Sequence, residues 1–389
     1  VAAGAPAPLA VALAAGALLA VNPLAHWFSQ EARSYALFIL LSATAWVVLL
    51  SAAERATPRR LWVWGLVAAA AAWTHYFGGL LFVVGWATLA LVAVAGARGG
   101  RLRALRPLAL PAVVSGVAVA ALAPIARNQQ STDMYQAISQ VKGLPARIVE
   151  LPKQFAVGYN APAEYVVGAV LMVVLVVLVL AAAWPRDGRP TRATALLGLV
   201  AVVWVLPLLA LAGGFDVVLT RNFVLLVPPL TVLAALGAWR LGRRAWIALG
   251  AVAVVQVATI VIVALTPVYQ REDWRGLIRA ATDGIARPEA VFIGAYQEPA
   301  ATYYAPTLRP LPATPLVVRS VALVDRLDPG KAMTRIPVPP PPPGFTLAHA
   351  EQRDQWHVFV WTAPVPTAVD PALVAAWQTT PPRTSLLRP

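Results

Sequence analysis

Glu31, Arg33 and Tyr35 fall within one short run, Ser29-Gln30-Glu31-Ala32-Arg33-Ser34-Tyr35, wedged between two apolar stretches. Ionisable side chains are costly to place at a bilayer boundary, and where they occur they mark candidate functional sites. A guanidinium presents a planar fork of donors that suits phosphate oxygens. Arg33 is therefore a candidate anion ligand, and Glu31 the carboxylate that would orient it or a substrate hydroxyl. The plainer reading of the same run is a membrane-boundary cap, with Trp27, Phe28 and Tyr35 as an aromatic belt.

Two further places carry similar potential. His75-Tyr76 ends an apolar segment and is followed by Phe77-Gly78-Gly79, a tight re-entry. A histidine beside an aromatic is commonly a packing residue. At the level of Glu31, a His–Glu pair could instead shuttle a proton or hold a divalent cation, although one His and one carboxylate are too few for a closed zinc site. Arg221 directly precedes Asn222-Phe223 at the start of an apolar helix. There it would either snorkel to the interface or reinforce the positive end of the helix as an anion site, with Asp216 as its local counter-charge.

The elements that must position these residues are membrane spans. Hydrophobic residues make up 59% of the 389-residue chain and charged ones 12%, about half the charged share of a soluble domain. Nine stretches are long and apolar enough to cross a bilayer, roughly 5–25, 35–53, 61–77, 79–97, 108–126, 165–184, 193–213, 221–239 and 245–266. Arginines collect in every second connection, at Arg55/Arg59/Arg60, Arg98/Arg101/Arg103/Arg106, Arg186/Arg189/Arg192 and Arg240/Arg243/Arg244. By the positive-inside rule those loops are cytoplasmic. The first span then enters from the cytoplasm, and 26–35, 77–79, 127–164, 214–220 and everything after 266 face outward. The net charge of +14 is thus a topology signal and no nucleic-acid footprint. Without cysteine there is neither a disulfide framework nor a thiolate metal site.

Two outward segments have their own character. The polar connection 127–164, with Arg127, Asp133, Lys142, Arg147, Glu150 and Lys153, is too long for a turn. It is expected to contain a surface helix with Ile138, Val141, Leu144 and Ile148 on one face. The tail 267–389 turns soluble in composition and reads as a separate small α/β domain. A helix over 271–285 spaces Trp274, Leu277, Ile278 and Ala281 at i, i+3, i+4 and i+7, with Asp273 at its cap. Runs at 290–295, 316–323 and 356–361 read as strands, and 339–343 as a polyproline spacer.

The run Trp27-Phe28-Ser29-Gln30-Glu31-Ala32-Arg33-Ser34-Tyr35-Ala36-Leu37, followed by Thr74-His75-Tyr76, resembles the bacterial membrane glycosyltransferases of family 39. These are similar to protein O-mannosyltransferases and lipid A aminoarabinose transferases, of the multispanning GT-C fold. Leu219-Thr220-Arg221-Asn222-Phe223 with Pro228-Pro229 resembles that family's Arg-Tyr helix entry, with Asn222-Phe223 where the pattern has a tyrosine. Tyr269-Gln270-Arg271-Glu272-Asp273-Trp274-Arg275 resembles the start of its outer domain. The likeness spreads over roughly residues 15–305.

The resemblance implies a GT-C-like α-helical polytopic protein, with residues 1–266 as the transmembrane part and 267–389 as the extracytoplasmic domain. It implies an inverting, mannosyltransferase-like enzyme of the cell envelope. Such an enzyme moves a hexose or pentose from a polyprenyl-phosphate donor to a lipid, glycan or protein acceptor on the outer face of a bacterial plasma membrane. Membrane lipids are its surroundings and nucleic acid is no partner. Carried onto this sequence, Glu31 and His75 are the catalytic candidates, and Arg33, Tyr35, Tyr76 and Arg221 the ligands of the donor phosphate. A divalent cation is a cofactor candidate, with no dedicated metal site. The family's base lies in the first outer loop, and the expectation is that this loop precedes Val1, the sequence being an amino-terminally truncated form. The alternatives are a transporter or flippase of lipid-linked sugar, or a non-catalytic membrane scaffold.

Overall fold

A computed structural model describes residues 9–31, 33–97, 100–130, 143–185, 189–214, 216–271, 273–282, 288–294, 298–310, 316–326, 337–353, 355–377 and 384–388. Of the described residues 70% are helical, and the chain divides into two compact units, Val1–Val261 and Ile262–Pro389. Asp133, Ile138, Val141, Lys142 and Glu272, singled out from the sequence, lie outside the described residues.

The first unit is a helical bundle. In chain order its helices are α1 (Leu9–Ala20), α2 (Pro23–Ser29), α3 (Tyr35–Glu54), α4 (Pro58–Thr74), α5 (Phe77–Ala95), α6 (Arg101–Ala120), α7 (Ala123–Gln130), α8 (Leu144–Val157), α9 (Glu164–Ala183), α10 (Arg192–Ala212), a 3-10 turn (Thr220–Leu226), α11 (Val227–Leu241) and α12 (Arg243–Leu265). Among the described residues seven helices are long and apolar enough to cross a membrane, or eight if a bent pair is one span. Nine were expected. The shortfall has two causes. The first stretch breaks at Asn22-Pro23, where α1 and α2 meet at 55°. Pro23 cannot donate to the preceding turn, and the Asn22 side chain caps the new helix by accepting from Ala25 N at 3.0 Å. The second cause is α4, which has only 17 residues, because His75 takes an extended backbone (φ −156°, ψ 131°) and stops it.

Three arginine-bearing connections gather at one end of the bundle. Arg60 Nη1 donates to Ser51 O at 2.8 Å, Arg192 pairs with Glu54 at 2.9 Å, and Arg240 Nη1 donates to Ala181 O at 3.2 Å and Trp184 O at 3.1 Å. Small residues set the helix spacing. A Cβ at Gly237 of α11 would run into the backbone of Leu178 on α9, and one at Gly85 of α5 into the ring of Trp64 on α4. Close backbone approach of this kind is how helices associate in lipid, where apolar burial alone gives no preference for protein.

The second unit is a small mixed sheet with helices. Its strands are β1 (Ala290–Gly294), β2 (Arg309–Pro310), β3 (Leu316–Arg326), β4 (Thr346–Arg353), β5 (Trp356–Val369) and β6 (Thr384–Arg388), in the order β2-β6-β1-β3-β5-β4. β1 and β3 are parallel and all other neighbours antiparallel. α13 (Trp274–Thr282) places Leu277, Ile278 and Ala281 against Val291, Ile293, Val324 and Val358, alongside α14 (Glu298–Tyr304). The opposite face buries Phe292, Leu323, Phe359 and Trp361 under Phe345 and Val374, the latter in α15 (Pro371–Ala375). The alternation along β5 divides these two cores, as the two-residue period of a strand requires.

Candidate functional site

The turn that joins α2 to α3 and the turn that joins α4 to α5 are fastened together. Ser34 Oγ donates to Thr74 O at 2.7 Å, which brings the Glu31–Tyr35 run beside His75. Tyr35 opens α3 facing inward and is 6% exposed. Its ring lies 4.5 Å from Phe28 and 5.4 Å from His75 between centroids. His75 also stacks on Phe38 at 4.7 Å and approaches Phe77 at 6.0 Å. Of the residues predicted to touch phosphate, Arg33 is exposed and so is Tyr76, whereas Tyr35 belongs to this aromatic cluster.

Arg221 joins the group from the far end of the sequence. It opens the 3-10 turn, half-buried between buried Thr220 and Asn222. Asn222 holds the entry to that turn by donating its Nδ2 to Val217 O at 2.7 Å. His75 lies in the connection between α4 and α5. Burial first, and then the positive charge of Arg221, push its pKa down to about 4. Its Nδ1 accepts from Phe77 N at 3.3 Å. At neutral pH the ring is therefore uncharged, and Nε2–H is its donor. A neutral donor and a guanidinium at one level can grip an anion without a second cation competing for it.

The rings continue as a belt through the bundle. Phe223 lies 6.1 Å from Phe77 and 4.7 Å from Trp204, Trp204 6.0 Å from Phe155, and Tyr159 5.4 Å from Trp27 and 5.7 Å from Phe28. Phe223 is a core residue at 1% exposure.

Helix α8 falls in the connection expected to hold an amphipathic helix with Leu144 and Ile148 on one face. Ile148 and Val149 are exposed, while the side packed against protein carries Arg147, Glu150, Leu151, Lys153, Gln154 and Phe155. The polar stripe faces inward because partners wait there. Arg147 grips Asp216 through both guanidinium nitrogens, one bond at 2.8 Å, and donates to Val218 O at 3.1 Å. Asp216 had been read as the counter-charge of Arg221; it belongs to Arg147, 69 residues away. The Arg147 bonds hold the Asp216 carboxyl below the usual carboxylate range, and Asp216 in turn raises the Arg147 pKa. Lys153 pairs with Glu164 at 3.2 Å and donates to Tyr159 O at 2.8 Å. The clamp fixes the 216–222 segment that presents Arg221.

No protein-family model matches the chain, and no curated protein or solved structure matches it either.

Geometry therefore has to speak for the site by itself. It assembles Ser34, His75 and Arg221 from three separate sequence regions at the end of the bundle where α2 stops, α4 stops and α11 begins. Glu31 and Arg33 stand in the adjoining turn. Among the described residues no group of three or more His, Asp or Glu side chains could hold a metal ion. The Arg147–Asp216 pair was not legible in the sequence. Its one signal was an Arg and a Glu spaced i, i+3 on a helix otherwise read for its apolar residues.

Proposed function

We propose that this chain is a GT-C-like, inverting glycosyltransferase that takes a sugar from a polyprenyl-phosphate donor at the outer membrane face. The observation that carries the reading is the convergence of the Ser29–Tyr35 run, the Thr74–Tyr76 turn and Arg221 through the Ser34–Thr74 bond and the charge of Arg221 on His75. Those three pieces also carry the resemblance in the sequence. In this reading Arg33 and Arg221 stabilise the phosphate as it departs, since fixed donors aimed at developing charge are the strongest catalytic element available. His75 contributes a neutral N–H, Tyr76 borders the site, and Glu31 serves the acceptor hydroxyl. The lipid tail of the donor enters from the surrounding bilayer.

The test is acceptor-dependent release of labelled sugar by the full chain in nanodiscs, from a panel of polyprenyl-phosphate hexoses and pentoses, with an envelope extract as acceptor. Arg221→Lys and Arg33→Lys keep the charge but lose the fork, and each is expected to slow transfer by about a hundred-fold. Transfer at full rate in both variants overturns the assignment. Sugar-lipid counterflow in liposomes without transfer would favour the flippase alternative.

A further inference from the structure

An apolar cavity of about 310 Å³ opens inside the first unit, walled by Leu18, Phe155, Val179, Leu197 and Leu230. Asn22, Thr231 and Gln256 reach it with polar side chains, as does Trp204 with its indole. Their hydrogen-bonding groups can be counted. Asn22 Nδ2 donates to Phe155 O at 3.0 Å, Thr231 Oγ1 to Pro228 O at 2.8 Å, and Gln256 Nε2 to Ala156 O at 3.0 Å. Each of the three thus spends a donor on a backbone carbonyl, and the two amide nitrogens each keep a second hydrogen. Asn22 Oδ1 already accepts from Ala25 N, but Gln256 Oε1 is buried and has no hydrogen-bond partner among the described residues. The amide cannot be turned round to change this, because its oxygen would then face the Ala156 carbonyl. Gln256 is 2% exposed and lies within α12, where no bulk water competes for it. A buried acceptor left without a donor is costly.

We propose that this cavity binds the hydroxyl end of a long-chain aliphatic alcohol, with Gln256 Oε1 accepting the hydroxyl proton. The head group is neutral, because no charged side chain lines the cavity to balance a phosphate or carboxylate. It donates, because the buried group left without a partner is the acceptor Gln256 Oε1. It continues as hydrocarbon, because the remaining lining is apolar. The volume holds on the order of ten chain carbons, each taking roughly the room of a water molecule. A free alcohol and the hydroxyl of a diacylglycerol share this chemistry. The inference does not depend on sugar transfer.

The experiment is photolabelling of the full chain in nanodiscs with a dodecanol carrying a diazirine, beside its methyl ether twin, mapped by peptide mass spectrometry. No sugar donor is present, so the result stands apart from any transfer assay. The alcohol is expected to label the cavity-lining peptides about ten-fold more than the ether. Gln256→Leu is expected to remove that preference. Leu197→Trp, which fills the cavity from its wall without touching Gln256, is expected to remove labelling altogether. A photoactivatable diacylglycerol run in parallel assigns the source: labelling by it points to a membrane lipid, and labelling by the alcohol alone to a free alcohol. Equal labelling by ether and alcohol overturns the proposal, as does an alcohol preference that survives Gln256→Leu. Displacement of both probes alike by polyprenyl phosphate also overturns it, since the cavity would then hold the donor chain.

Discussion

The two units bury charge in opposite ways. In the helical unit, Arg147 and Asp216 stay ionised and meet through a two-pronged guanidinium contact, with Val218 O as a third partner. In the sheet unit, Asp325 and His357 face each other across β3 and β5, at 0% and 1% exposure, and burial holds the His357 pKa below its ordinary value, with Asp325 opposing that shift. The first solution needs two long-range partners in a fixed geometry. The second needs only a group that can give up its proton. Burying an ion pair is tolerable when each lone pair and proton is matched, and a histidine avoids the desolvation cost by remaining neutral.

Breaking the first solution should have the larger effect. Asp216→Asn leaves the Arg147 guanidinium without its counter-charge, and the expected loss is about 3 kcal/mol, read as a lowered unfolding midpoint of the full chain in nanodiscs. The double variant Arg147→Leu/Asp216→Leu is expected to recover most of that loss. Recovery would show that the pair specifies where α8 sits more than it stabilises the unit. Gly237→Ala comes next, because the added methyl meets the Leu178 backbone. Overpacking at such a crossing costs roughly 1–3 kcal/mol, measurable in the same unfolding experiment.

The sheet unit should show the smaller effect, and a different variable reveals it. His357 has a folded-state pKa below the unfolded value of about 6.5, so the unfolded chain binds more protons as the pH falls. Its contribution to stability is fully present above about pH 6.5 and is lost as the pH drops toward the folded pKa. The protection factor of the β5 peptide against hydrogen exchange, taken relative to the intrinsic rate at each pH, is therefore expected to fall between pH 7.5 and 5.5. His357→Gln should flatten that dependence. The Arg147–Asp216 pair, whose carboxyl is held below the usual range, should be unaffected across this window. The smallest effect concerns a single bond. Trp46→Phe removes the donation from Trp46 Nε1 to Leu225 O, and about 1 kcal/mol is expected.

What could be read from the sequence follows the same division. Local periodicity was legible: Leu277, Ile278 and Ala281 face the sheet core as their spacing requires, and the apolar runs within 290–323 and 356–361 became β1, β3 and β5. Basic punctuation was legible too, since three arginine-bearing connections meet at one end of the bundle. Non-local pairing was not. Nothing in the neighbourhood of Asp216 points to a residue 69 positions earlier, and proximity in sequence suggested Arg221 instead. The inward polar stripe of α8 was missed for a related reason. A helix beside lipid can turn its apolar residues outward and its ions toward protein, the reverse of the pattern in water. The break at Asn22-Pro23 was the avoidable miss, because that dipeptide is a turn signal in its own right.

The bend between α1 and α2 also bears on how the protein is made. Neither Leu9–Ala20, at 12 residues, nor Pro23–Ser29, at 7, is long enough to settle across a bilayer unaided. The hinge between them is secured when Asn22 Nδ2 finds Phe155 O, 133 residues further along. At ordinary rates of translation that partner emerges on the order of ten seconds later. For that interval the bent pair must rest against the insertion machinery or neighbouring lipid. The segment around Asn22 is therefore made well before the contact that fixes it.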